Sequence, residues 1–185
     1  MLWDDFMNSE WHDWRGSGKS EDRLDKPEWL NDWLERHRLS VDAAPSSDEL
    51  AALKQLRLLL QRMVKDIVAE LEMRAEDLTE LNKIMKGGAV IRRLTMADRL
   101  YNIALTPVDH NWRQVMAEIA ASFAHVLVDA DASRIRICDN PDCLWVYYDD
   151  TRNRSKKYCD DKCCGNLMKV RRFRARQKAA ARKPT

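Results

Sequence analysis

No stretch of this 185-residue chain approaches the roughly 18 consecutive apolar residues that a membrane-spanning helix needs, so a helical span is not expected. The start also lacks the charged and apolar pattern of an export leader, and the expected location is the reducing cytoplasm. Histidine is scarce. His12, His37, His110 and His125 are scattered, and none stands in a metal-binding or nucleophile-activating motif. Asp109-His110 and His12-Asp13 are neighbours in sequence, which does not bring two side chains together, so no catalytic centre is expected. Acidic residues are missing altogether after Cys164, where eight Lys and Arg follow.

What the chain does have is cysteine in a pattern. Cys138 and Cys143 form one close pair, and Cys159 with Cys163 or Cys164 forms a second. Four thiolates in two close pairs suit one tetrahedral zinc ion, which takes soft sulfur ligands. A disulfide framework fits less well, because the cysteines number five and no leader is evident. Only one of the adjacent Cys163 and Cys164 can fill the fourth position, and spacing alone does not choose. Cys164 repeats the four-residue gap of the first pair, and Gly165 after it lets the chain pass close to a metal. Cys164 is therefore preferred, with Cys163 a neighbouring thiol or small core residue.

Charge divides the chain in two. Residues 134–185 carry 15 Lys and Arg against 6 Asp and Glu, a balance of +9, leaving 17 against 24 in residues 1–133, a balance of −7. An acidic body of 1–133 joined to a basic module of 134–185 is the expected organisation, and clustered cations are what phosphate contacts require. Arg171, Arg172, Arg174 and Arg176 are candidates for reading guanine. Lys169 and Lys178 share their helix, and Arg152, Arg154, Lys156 and Lys157 precede Cys159 as candidates for backbone contacts.

Most of the body reads as helix. Pro27 suits a first helical position, and Trp29, Leu30, Trp33 and Leu34 form one apolar stripe that should end near Leu39. Ser46-Ser-Asp-Glu49 has capping-box spacing and should start a long helix with Leu53, Leu56, Leu60 and Val64 on one face. A helix from about Ala75 to Lys86 should stop at Gly87-Gly88 through a left-handed glycine. Ala89–Thr95 and Leu100–Pro107 predict a small hairpin, and 111–129 returns to helix. Residues 15–25 read as loop. Ile135 to Ile137 and Val146 to Tyr148 suit a short hairpin around the metal. In the last helix Leu167, Val170, Phe173 and Ala180 form a narrow apolar line expected to pack on the zinc knot. Lys169, Arg172 and Arg176 flank one side of that line, with Arg171, Arg174 and Lys178 on the other. The fold class is α+β, predominantly helical.

The stretch Cys138-Asp-Asn-Pro-Asp-Cys143, Trp-Val-Tyr-Tyr-Asp149, Arg152-Asn-Arg-Ser-Lys-Lys-Tyr-Cys159, Cys164-Gly165-Asn166 and Lys169-Val-Arg-Arg172 resembles the CGNR zinc finger over roughly residues 134 to 180. Leu167 replaces the arginine that ends the family's signature. The resemblance implies a treble clef whose last cysteine, Cys164, opens a helix. Phe6-Met7-Asn8-Ser9, the helix bearing Trp29 and Trp33, Leu56-Arg57 and the helix from Trp112 are similar to the ABATE domain. That arrangement implies a stress-related transcription regulator.

Two functions are expected from these features. One is a transcription regulator whose finger and basic helix bind double-stranded DNA, with the body sensing a small molecule or forming a homodimer. The other is a zinc-stabilised module for RNA or an acidic protein. Six large aromatics in the first 33 residues could line a ligand pocket, with Phe6, Asn8, Trp29 and Trp33 as candidates; ordinary core packing is the alternative.

Overall fold

A computed structural model describes residues 1–181; the end of the basic unit, 182–185 with Arg182 and Lys183, lies outside the described residues. The chain begins with α1 (Leu2–Met7), β1 (Glu10–His12) and β2 (Ser20–Asp22), followed by α2 (Pro27–Arg36), α3 (Ser47–Val68) and α4 (Ala75–Met85). Then come β3 (Val90–Ala97), β4 (Leu100–Pro107), α5 (Trp112–Asp129), β5 (Ile135–Ile137), β6 (Val146–Tyr148) and α6 (Asn166–Ala181). Among the described residues the strands form three antiparallel pairs: β1 with β2, β3 with β4, β5 with β6. Among the described residues, no helix is long and apolar enough to cross a membrane.

Local chemistry accounts for three of the helix starts. Ser46 accepts from the Glu49 amide while the Glu49 carboxylate accepts from the Ser46 amide at 2.8 Å, which closes the expected capping box on α3. Pro27 opens α2, and Asn111 caps α5 by accepting from the Gln114 amide. The glycines after α4 work differently from expectation. Neither Gly87 nor Gly88 takes a positive φ. A Cβ on Gly88 would stand 2.5 Å from the Ala117 Cβ, so that glycine lets the chain pass against α5.

The segment expected to be a loop, 15–25, is partly ordered. Ser20–Asp22 pairs with Glu10–His12, and a 3₁₀ turn over Arg23–Asp25 leads toward α2. The driving force is tertiary. Arg57 on α3 donates to the Ser9 hydroxyl at 2.8 Å and grips the Asp22 carboxylate with both terminal nitrogens at 2.8 and 2.6 Å. Ser9 and Arg57 are buried, so this network joins the turn after α1, β2 and α3 from inside.

Trp3, Phe6, Trp33, Leu53, Leu56, Leu60, Met63, Ile119 and Phe123 form the centre of the core. Burying each such side chain contributes about 1.5–3 kcal/mol. The same cluster takes in Ile135 and Val146, so the β5–β6 hairpin is roofed by the body. A second cluster contains Cys138, Cys143, Tyr147, Tyr158 and Cys164, with Trp14 and Met168 packed against it. Phe6 and Trp33 are thus fully buried core residues, their rings 6.0 Å apart, and Trp29 stacks half-buried on Trp33. Phe6 and Trp33 pack in the core with the indole N–H of Trp33 buried and without a partner among the described residues.

Candidate zinc centre and nucleic-acid interface

The four sulfurs of Cys138, Cys143, Cys159 and Cys164 lie within 4.8 Å of one another. Cys143 and Cys159 are 3.6 Å apart, and Cys159 and Cys164 are 3.9 Å apart. Zinc–sulfur bonds of about 2.3 Å place tetrahedral ligands about 3.8 Å apart, so the donor set fits one zinc ion. Cys163 is exposed and outside the cluster, whereas Cys164 is buried. Their adjacency resolves through the wide turn Asp161–Gly165 that leads into α6, in which Asp160 accepts from the Cys163 amide.

The first pair is held by a tight turn. Cys138 N–H donates to the Trp145 carbonyl at 2.8 Å, Cys143 N–H donates to the Asn140 carbonyl at 2.9 Å, and Leu144 takes a left-handed φ of 58°. Hydrogen bonds from Cys143 and Cys159 hold the Cys138 thiol low, and the bond to Cys138 pushes Cys143 up. A divalent cation among the sulfurs would let all four ionise together.

Side chains around the cluster fix its shape. Asn140, fully buried, donates to the Trp14 carbonyl at 2.8 Å and toward the Cys164 sulfur at 3.4 Å. Asp149, also fully buried, accepts from the Thr151 and Lys156 amides at 3.0 Å each and so closes the loop carrying Arg152 and Arg154. Burial alone would raise the Asp149 carboxyl, but hydrogen bonds from the Thr151 hydroxyl and from the Thr151 and Lys156 amides hold it below the usual range.

The body reaches the finger twice. The Asn8 side chain donates to the Val146 carbonyl at 2.8 Å and accepts from the Val146 amide at 2.9 Å, extending β6 by one pair of bonds. The 13–19 loop then covers the knot, with Gly16 at φ 90° tucked against Arg171 and Asp142.

A family model for ABATE, described as "Putative stress-induced transcription regulator", matches residues 2–130, most of the chain. The chain belongs to the ABATE family. The CGNR zinc finger model matches residues 134–177. Both are regulator or zinc-finger families, not enzyme families, and no curated protein matches the chain significantly.

The expected cations of the CGNR segment separate into two groups. Arg171 is engaged: it pairs with Asp142 and donates to the Arg15 carbonyl at 2.9 Å. Arg154 pairs with Asp131 at 2.7 Å, and the Lys156 ammonium lies 5.2 Å from the Tyr147 ring centre. By contrast, Arg152, Lys157 and Lys169 line one concavity of 430 Å³, which the ring-stacked Lys156 also borders, and Lys169, Arg172 and Arg176 line the next with Phe173. Lys169 belongs to both, so the loop and one face of α6 adjoin through it, with Asp161 the one acidic residue lining the first concavity. Arg174 and Lys178 are exposed elsewhere on α6.

The apolar line of α6 does not pack as expected. Leu167 and Met168 are half-buried, but Val170 and Phe173 are exposed, Phe173 by 61%. The helix leaves the knot after its first turns, and no other element among the described residues covers its remaining length. Asn140, Asp149 and Trp14 belong to the centre without being expected from the sequence. Asn140 and Asp149 carry a signal there, since both stand in the stretch that resembles the CGNR finger, whereas Trp14 lies far from it in sequence.

Proposed function

We propose that this ABATE-family chain binds double-stranded DNA through the zinc-anchored basic surface of loop 151–157 and the Lys169, Arg172 and Arg176 face of α6. Cys138, Cys143, Cys159 and Cys164 hold one zinc ion, whose role is to fix the loop and the helix start relative to one another. The observation that carries the reading is the shared concavity. It joins cations from two separated segments into one track, the arrangement that phosphate binding requires, on a helix of a width that enters a major groove. Arg171 and Arg154 serve as structural anchors in this reading, and Arg174 and Lys178 as secondary phosphate contacts.

The chain works as two units in this proposal, an acidic body of 1–133 and a basic finger of 134–185. Signal sensing belongs to the body. A cavity of 290 Å³ between them is lined by Asn8, Val146, Val64 and Ile137, with Glu10, His12 and Lys65 at hand to orient a polar molecule. A ligand there would touch the Asn8–Val146 clamp directly, which supports a path from body to finger.

A second reading has one specific observation in its favour. Phe173 stands exposed among Lys169, Arg172 and Arg176, where a single-stranded RNA base could stack on it. Competition of labelled duplex DNA against single-stranded and structured RNA, with the zinc-loaded chain, separates the two. Preferential displacement by duplex supports the first reading, and preferential displacement by single strands replaces it.

A further inference from the structure

The β3–β4 hairpin stands away from the body. Its eight-residue strands span about 25 Å, and Asp98 and Arg99 turn the chain with positive φ at both positions. The register puts Leu94 opposite Ile103 and Met96 opposite Tyr101 on one face. Opposed residues of an antiparallel pair share a face, so Val90, Leu105 and Pro107 continue it toward the base, with Arg92 its single charge. This face is apolar and bare: Leu94 is 73% exposed, Tyr101 74%, Met96 64% and Ile103 61%. At its base, Val90 and Leu105 open onto a groove of 460 Å³ walled by Met85, Ala117 and Ala121 and lined also by Glu118 and His125.

We infer that two copies of this chain dimerise by laying these arms face to face, each tip over the groove at the other's base. A twofold axis makes every contact twice, and tip and base are both apolar on the same face, so the surface complements itself as a closed dimer requires. Charge points the same way. β4 has no charged residue along its length, which gives a nucleic acid or an acidic peptide little to recognise. The exposed side chains of the face amount to on the order of 600 Å² per copy, the upper end of what the largest apolar patch of a monomer reaches and a size often functional. Pairing two copies buries about 1,200 Å², which reaches the range of specific interfaces. The β4 edge also lacks the lysines that keep solitary edges apart, its one guard being Pro107 at the end. This inference stands on the arm alone and is independent of what the finger binds.

Sedimentation of the full zinc-loaded chain at micromolar concentration tests it. The wild type should run at twice its 21.7 kDa chain mass. Tyr101→Lys combined with Ile103→Glu should halve that mass while zinc content and helical signal stay unchanged. Ala121→Glu, in the groove and off the arm, should do the same. Thr95→Asp with Asn102→Lys, on the opposite face of the hairpin, should leave the dimer intact. A monomeric wild type overturns the inference, whatever else its arm captures, as does a dimer that persists in both apolar-face and groove variants or is lost only through the opposite face.

Discussion

The side-chain amide of Asn8 satisfies both backbone groups of Val146, 138 residues along the chain, at 2.8 and 2.9 Å. An asparagine so placed acts as a short strand: its carboxamide offers one donor and one acceptor in the geometry of a peptide. Finger and body are therefore joined by a specific polar contact over a shared apolar core, to which Ile135 and Val146 contribute.

Asn8→Asp should break that clamp. An aspartate cannot donate to the Val146 carbonyl and sets a carboxylate oxygen against it. The expected cost is about 1–3 kcal/mol, the range for a buried hydrogen-bonding group left without its partner. Urea unfolding measures the loss, and hydrogen exchange should show the β6 amides opening faster. Zinc content should remain at one per chain, because the cysteines are untouched.

The ligand assignment predicts a clean difference among thiols. Cys138→Ser or Cys164→Ser should release zinc and unfold the finger, since such sites supply on the order of 10–16 kcal/mol of folding free energy. Cys163→Ser should leave zinc stoichiometric, as that side chain is exposed and outside the cluster. Elemental analysis of the three purified variants decides it.

Acid should weaken the body through Asp22. Burial alone would raise its carboxyl, but the Arg57 hydrogen bonds and charge prevail and hold it below its ordinary 3.8. A depressed folded-state value means the stabilisation is present above about pH 4 and is lost as pH falls through the folded value. Asp22→Asn, which leaves the buried Arg57 uncompensated, should cost about 3 kcal/mol at neutral pH. Its stability should fall less steeply than that of the wild type below pH 4, as thermal unfolding across pH would record.

Much of this architecture is legible in the chain alone. Ser46 and Glu49, Pro27 and the stripe of Trp29, Trp33 and Leu34 speak through local rules, and the cysteine spacing carries the metal site. α1, β1 and β2 do not speak that way, because six residues or three are too few for a period to emerge. They are held by Asn8, Ser9 and Asp22 through partners dozens of residues away. Phe173 illustrates a different limit. A helical wheel finds an apolar line but says nothing of whether another element lies over it, and α6 runs out past the knot. Arg171 looks like a free cation on the wheel for the same reason, since Asp142 and the Arg15 carbonyl come to it from other segments.

Duplex binding by the zinc-loaded full chain, measured across salt concentration, tests the central claim most directly. Affinity should fall with salt at a slope of about 0.9 per phosphate contact, and replacing Lys169, Arg172 and Arg176 together with alanine should reduce that slope by two to three contacts, on the order of 0.9 each, with zinc retained. No binding of duplex at low salt, or an unchanged slope in that triple variant, would contradict the account.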